Sequence, residues 1–234
     1  MKRSYLLLPL LALSLFGFGC KKTETPPVPN AVAPIDGAAA AQTPTTDEKT
    51  NPGVSRDILY ARQVLRNLSQ ASAFRASMVV PSAGGIINTV LDYNRINGLL
   101  GKVTIPTDVG PQTAELFANE TEIWFREGTS TWQNLSNTEE GKNFKAIFQN
   151  AFGYQGQYQS TVADNAKLLS KDEDTSVNCT RHAFTQVLDT GSEQKFTLCI
   201  ARDLPVYLTI DGPFGQIEVR YRDVNGKVDV QKPV

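Results

Sequence analysis

The fold is decided by residues 86–126, a stretch that opens with IINTVLDYNRINGLLGKVTI at residues 86–105. Short apolar or alternating runs are separated there by a few turn-forming residues, and the runs cover 86–93, 98–105, 113–118 and 122–126. Parallel neighbours would need crossovers of about a dozen residues or more, and these connections are shorter. The stretch therefore predicts an antiparallel meander with one face packed on the core.

A helix precedes the meander, and further strands follow it. Ile58, Ala61, Leu65 and Leu68 recur at helical spacing, which predicts an amphipathic helix over 54–69. Alternation at 73–80 has the period of a half-buried strand. Later strands are predicted at 177–188, 195–201, 204–210, 216–221 and 227–230.

Two helices are expected to interrupt the strands. Large apolar side chains mark one helical face at 144–152, after a capping-box pattern at 136–139 and before Gly153 as a C-cap. A second helix is predicted over 161–170, and the acidic run 172–174 behind it is expected to be a solvated loop. These helices either fill the sheet as core or form a lid over a cavity, and both interpretations stay open.

The N-terminus has the pattern of an export signal. A basic start at residues 2–3 is followed by an apolar run at 6–18 and by Gly19-Cys20. The pattern resembles the bacterial lipobox, although residues 17 and 18 depart from its preferred types. In that signal the chain is cut before the cysteine, which then carries fatty acyl chains such as palmitate. The alternatives are an uncut membrane anchor, for which the run is short, and an ordinary signal cut elsewhere.

The expected organisation is a signal peptide at 1–19, an anchor and tether at 20–52, and one domain at 53–234. The tether holds six of the 13 prolines and no aromatic residue, so it cannot bury a core. Acylation of Cys20 would hold the protein at a cell membrane or outer membrane, facing the periplasm or extracytoplasmic space. A net charge of −1 provides no basic surface for nucleic acid.

The two remaining cysteines, Cys179 and Cys199, lie in a domain expected to be exported, where oxidation is permitted. Folding their predicted hairpin about position 189 places the two residues directly opposite each other. That spacing favours a disulfide over the alternative of two buried thiols.

No pattern typical of catalysis or metal binding was found in the sequence. His182 is the only histidine, no Gly-x-Ser-x-Gly precedes it, and it is expected on a partly exposed strand face. The acidic run 172–174 offers cation ligands but suits a solvated loop better. Phosphate-cradling loops, zinc-ligand spacings and dinucleotide fingerprints are also missing. We therefore predict a protein that is not an enzyme, with no cofactor and no metal.

Four segments carry a resemblance to a family. Ile123-Trp124-Phe125-Arg126 and Trp132-Gln133-Asn134-Leu135 are similar to a strand, turn and tryptophan segment of the LolA/LolB-like superfamily, which includes the LppX/LprG-type cell-envelope lipoproteins. Asp203-Leu204-Pro205-Val206 resembles the start of a later strand, with Asp203 in place of the usual glycine. Arg220-Tyr221-Arg222-Asp223-Val224-Asn225 resembles the closing strands. The order of helices and strands agrees as well.

The resemblance implies an α+β fold, in which an antiparallel meander curls into a half-barrel with helices packed on its concave face. It also implies an apolar cavity that carries acyl chains of lipids or lipoproteins, and no catalytic residues. The alternative is a closed core whose convex face contacts an envelope protein or wall polymer. The candidate cavity walls are Met78, Leu91 and Val103 from the sheet and Phe144, Ile147 and Phe148 from the helix.

Overall fold

The computed structural model describes residues 54–152, 162–188 and 190–233, apart from the side chains of residues 147–152. Cys20 and the tether therefore lie outside the described residues. The described part contains two helices and eleven strands. They are α1 (Arg56–Ser69), β1 (Ala73–Ser82), β2 (Gly85–Asn94), β3 (Gly98–Ile105), β4 (Gln112–Ala118), β5 (Ile123–Glu127), β6 (Gln133–Asn134), α2 (Glu139–Phe152), β7 (Lys167–Asp174), β8 (Cys179–Val187), β9 (Glu193–Ala201), β10 (Leu204–Gly212) and β11 (Gly215–Arg222).

All the strands join one open antiparallel sheet in the order β6-β5-β4-β3-β2-β1-β11-β10-β9-β8-β7. Strands β1 to β6 form one meander, and β7 to β11 form a second. The two meanders meet where β1 pairs with β11, with Met78 opposite Val219. This arrangement confirms the predicted α+β fold with a curled antiparallel half-barrel.

Alternation along the strands separates an inner face, on which the helices pack, from an outer face. Helix α1 packs against β10 and β7, and α2 packs against β5 and β4. The Ser55 side chain caps α1 by accepting a hydrogen bond from the backbone N–H of Ile58 at 3.4 Å. The buried stripe of α1 consists of Ile58, Ala61, Val64, Leu65 and Leu68, as its helical spacing predicts.

Part of the outer face is covered by the C-terminal segment. Val228 and Val230 are buried in a small apolar cluster with Ala73 and Phe117. The predicted strand at 227–230 is wrong, because these residues pair with no strand in the described structure. The Asn94 side chain instead donates to the carbonyl of Val228 at 3.0 Å. The segment therefore crosses the sheet as extended chain and is held by side-chain contacts.

The predicted helix at 161–170 is also wrong, since its second half belongs to β7. Residues 167–174 pair along β8, so the acidic run 172–174 lies in a strand and not in a loop. Ahead of the strand, the Arg62 side chain donates to the Val162 carbonyl at 2.8 Å and forms an ion pair with Asp164 at 2.7 Å. Contacts with α1 and β8 thus replace the hydrogen bonds that a helix would have made.

The start of α2 differs from the predicted capping box. Thr138 caps the helix, because its hydroxyl accepts a hydrogen bond from the Gly141 N–H at 3.0 Å. The Ser136 hydroxyl accepts from the N–H of Ile123 at 2.9 Å and so joins the loop to β5. A side chain at Gly141 would collide with the Leu135 carbonyl, so glycine permits this close approach. Gly153, the predicted C-cap, lies outside the described residues.

Candidate functional site

Four of the six predicted cavity walls lie in one apolar core. Met78, Leu91, Val103 and Phe144 are only 1–4% exposed and belong to the same buried cluster. The side chains of Ile147 and Phe148 lie outside the described part. The Phe144 ring stacks on Phe125 of β5, with the ring centroids 4.6 Å apart. The stack holds α2 at the β5 end of the sheet.

An apolar strip runs along the inner face between the two helices. It spans β3, β2, β1 and β11, which lie between the strands that α1 and α2 contact. Ala76 occupies its middle, opposite Leu91 on one side and Tyr221 on the other. The strip consists of Val103, Leu91, Met78, Ala76, Val219 and Tyr221. Its surface has the chemistry that an acyl chain requires.

The side chain of Thr89 places a buried hydroxyl in this apolar region. Thr89 pairs with Met78 on β1 and with Val103 on β3, so it shares their face of the sheet. Its side chain is 4% exposed, and its hydroxyl has no hydrogen-bond partner. A buried hydroxyl without a partner costs free energy. Thr89 therefore marks a place on the inner face that is not optimised as plain core.

His182 lies buried beneath α1, so the predicted partly exposed position is wrong. Its ring is 2% exposed and sits 5.9 Å from the ring of Tyr60. Its Nδ1 lies 3.2 Å from the carbonyl of Thr180, and its Nε2 has no partner. Burial lowers the pKa of His182, which favours the neutral ring. Since no nucleophile hydrogen-bonds to the ring, it forms no catalytic constellation within the described residues.

The hydroxyl of Tyr60 connects the same helix to the turn between β9 and β10. It donates to a carboxylate oxygen of Asp203 at 2.9 Å. Burial, followed by the hydrogen bond and the charge of Asp203, raises the pKa of Tyr60 to about 12. The side chain of Asn67 adds a bond to the Asp203 carbonyl at 2.9 Å. The residue that replaces the expected glycine thus helps to dock α1.

Cys179 and Cys199 form a disulfide, with their Cα atoms 5.7 Å apart. Their predicted direct opposition is wrong, because Cys199 pairs with Arg181 and Cys179 lies diagonally across the hairpin. The pairing of Val187 with Glu193 shows that the hairpin turns about position 190, one residue later than predicted. The Asp174 carboxylate lies near both sulfur atoms, but disulfide sulfurs do not act as thiolate metal ligands.

The sequence did not predict a groove on the outer face of β7 to β11. It has a volume of about 460 Å³ and is lined mainly by polar and charged side chains, including Arg181, Tyr207 and Arg220. Each of these residues lies at an outward position of its strand, where the alternation predicts only a polar surface. Their convergence depends on the register of five strands, which the sequence alone does not specify.

Among the described helices, none has the length and apolar content needed to cross a bilayer.

Structure comparison, but not sequence comparison, relates this chain to known proteins. No family model and no curated protein sequence matches the chain. LprF from Mycobacterium bovis matches 77% of this chain and 99% of its own, with a TM-score of 0.53 and 9% identity. The lipoprotein LppX from Mycobacterium tuberculosis matches 76% of this chain and 100% of its own, at a TM-score of 0.48 and 20% identity.

A LolA superfamily protein from Nitrosomonas europaea matches 73% of this chain and 94% of its own, with a TM-score of 0.26 and 10% identity. At 9% identity the likeness to LprF concerns the fold alone, and in its fold the chain agrees with the resemblance that the sequence motifs indicated.

Proposed function

We propose that this chain is a membrane-anchored envelope lipoprotein that binds an acyl chain along the apolar strip and assists the transport or localisation of lipids or lipoproteins. The observation that carries the proposal is the strip itself. It crosses four central strands, while the two helices make their main contacts on either side of it. The strip therefore offers an acyl chain a continuous apolar surface that the described contacts of the two helices do not occupy.

The acyl chain would enter by displacing α2. In the described residues this helix is held through the Phe144 and Phe125 stack, the Thr138 cap and a bond from the Lys145 ammonium to the Asn119 carbonyl at 2.6 Å. These contacts lie at the β5 end of the sheet. They can act as a hinge about which α2 moves to admit the chain.

The anchor in this proposal is an acylated Cys20, and residues 1–19 are the signal that is removed. A Pro-rich tether of about 30 residues spans roughly 30 Å as a coil and up to about 90 Å when extended. The domain can therefore reach across the surface of the membrane that holds it. The location that follows is the extracytoplasmic side of a cell membrane or outer membrane. In this proposal the protein binds its ligand and catalyses no reaction.

A second candidate is a structural or protein-binding lipoprotein with a closed core. It is favoured by the exposures of Met78, Leu91 and Val103, which are 4%, 1% and 1%. Side chains that are already so well covered leave little empty volume. The two candidates therefore differ in whether α2 moves to admit a ligand.

Titration of the delipidated protein with a fluorescent fatty-acid analogue tests the proposal. We expect saturable binding by the wild type. Ala76→Phe, in the middle of the strip, should abolish it, because the added ring occupies the path of the chain. Overpacking costs about 1–3 kcal/mol, so folding of this variant is checked by circular dichroism. Val90→Phe is the matched control, since Val90 lies in the neighbouring strand and is 49% exposed. A correctly folded wild type that binds no analogue would establish the closed core instead.

A further inference from the structure

The groove on the outer face has a defined floor and walls. Ala183, Thr197 and Thr209 pair in one row across β8, β9 and β10, and their small side chains form the floor. Larger polar side chains rise around this row. They are Asp172, Asp174, Arg181, Tyr207, Glu218 and Arg220. The result is a trough that crosses three strands on the face opposite the apolar strip.

Most of the charges in the groove are paired with one another. Asp172 forms an ion pair with Arg181, and Glu218 forms one with Arg220. The third carboxylate, Asp174, accepts a hydrogen bond from the Tyr207 hydroxyl at 3.1 Å. Three carboxylates therefore face two guanidinium groups. A phosphate or another strong anion would meet cations that are already paired and a carboxylate that repels it.

These groups retain hydrogen-bonding capacity after their mutual pairing. A guanidinium has five N–H donors and a carboxylate about four acceptor sites, and each pair uses only part of them. The hydroxyls of Thr197 and Thr209 in the floor both donate and accept. The hydrogen bond from Ser176 lowers the pKa of Asp174, so this side chain remains an ionised acceptor at neutral pH. The groove thus suits a ligand with many hydroxyl groups.

A peptide fits the groove less well. Extended peptides bind sheets by adding a strand at an edge or by filling apolar pockets with their side chains. The floor strands β8, β9 and β10 are paired on both sides, so they have no free edge. Ala183 and Val177 are the apolar residues among those that line the groove, and neither forms a deep pocket.

We propose that this groove is a binding site for a neutral oligosaccharide, laid across β8, β9 and β10 and held by Arg181, Arg220 and the floor hydroxyls. Its volume of about 460 Å³ lies within the range of roughly 300–1,000 Å³ typical of small-molecule sites. The site is separate from the acyl site, and it stands whether or not the apolar strip binds a lipid.

Isothermal titration of the purified protein with maltotriose, cellotriose and chitotriose tests the inference. At least one trisaccharide should bind saturably to the wild type. Ala183→Phe should abolish binding by filling the floor, and Val90→Phe, on the outer face of β2, should leave it unchanged. Thr209→Val removes a single floor hydroxyl at nearly constant volume and should weaken binding roughly two- to tenfold.

Each outcome decides the question. Binding that Ala183→Phe abolishes and Val90→Phe retains supports the site, and the effect of Thr209→Val decides it if Ala183→Phe fails to fold. The inference is overturned if the folded wild type binds none of the three sugars. It is also overturned if folded Thr209→Val and Ala183→Phe each bind the sugar as tightly as the wild type does. Saturation of the groove by an unstructured peptide library, with no response to sugars, would assign it to a peptide instead.

Discussion

Removal of the Cys179–Cys199 disulfide should lower the stability of the domain substantially. The bond closes a loop with a sequence separation of 20 residues. In the chain-entropy model, cross-linking a loop of this length destabilises the unfolded chain by about 3 kcal/mol at 25 °C. Cys179 and Cys199 are 3% and 0% exposed, so alanine replaces each of them without leaving a buried polar group.

Thermal unfolding followed by circular dichroism provides the measurement. For a domain of this size, 1 kcal/mol shifts the melting temperature by roughly 2–4 °C, so the double variant Cys179→Ala/Cys199→Ala should melt about 6–12 °C lower. Reductant should lower the wild-type melting temperature by a similar amount and leave the double variant unchanged. Both proteins carry Cys20→Ser, so that the third thiol cannot exchange with the bond.

A wild-type melting temperature that reductant leaves unchanged, or two free thiols in the unreduced, denatured protein, would contradict this prediction. Loss of the bond should also leave acyl binding intact. The bond lies on the outer face in a small cluster with Tyr207, away from the core that contains Phe144. The double variant should therefore bind the fatty-acid analogue as the wild type does at temperatures where it remains folded.

Three further predictions concern Phe144, His182 and Cys20. Phe144→Ala should lower the free energy of unfolding in urea by about 3–5 kcal/mol, because a buried aromatic ring is lost from its stack on Phe125. The control Phe214→Ala, at a residue that is 56% exposed, should change the free energy of unfolding by less than about 0.5 kcal/mol. Burial lowers the pKa of His182, so as the pH falls the unfolded chain binds a proton at this residue before the folded chain does. The free energy of unfolding should therefore fall as the pH drops through about 6.5, and His182→Gln should flatten the stability profile between about pH 5 and 8. A wild type that is equally stable across that range would contradict the prediction. Cys20→Ser should move the protein out of the membrane fraction and abolish labelling by a fatty-acid analogue, and equal labelling of both proteins would place the anchor elsewhere.

Most of the sheet was predictable because its signals are local. The strands of the first meander alternate regularly, and their connections are too short for anything but hairpins. Strand β7 was missed for a physical reason that its register makes plain. A bulge falls between Leu168 and Ser170 and leaves Leu169 56% exposed. The extra residue interrupts the alternation with a period of two that marks a strand. The helical spacing of Val162, Ala166 and Leu169 was then the stronger pattern, and it predicted a helix.

The sites were less predictable than the fold because they depend on register. An error of one residue in the centre of a hairpin turn shifts the predicted partner of each residue by two positions. The predicted centre at 189 therefore placed Cys179 opposite Cys199, whereas the two residues lie diagonally across the hairpin. The burial of His182 depends on α1, whose side chains approach it from a distant part of the sequence. Apolar residues such as Met78 were recognisable as inner-face residues, but the sequence could not distinguish a core from a binding surface.

The pairing of β1 with β11 has a consequence for folding during synthesis. The two strands lie side by side at the centre of the sheet, yet among the described residues β1 is the first strand and β11 is the last. While a ribosome extends the chain, β1 therefore presents an unpaired edge until almost the whole domain has been made. A truncation before Gly215 would leave this edge permanently open, so its product should aggregate or be degraded and not persist as a smaller sheet.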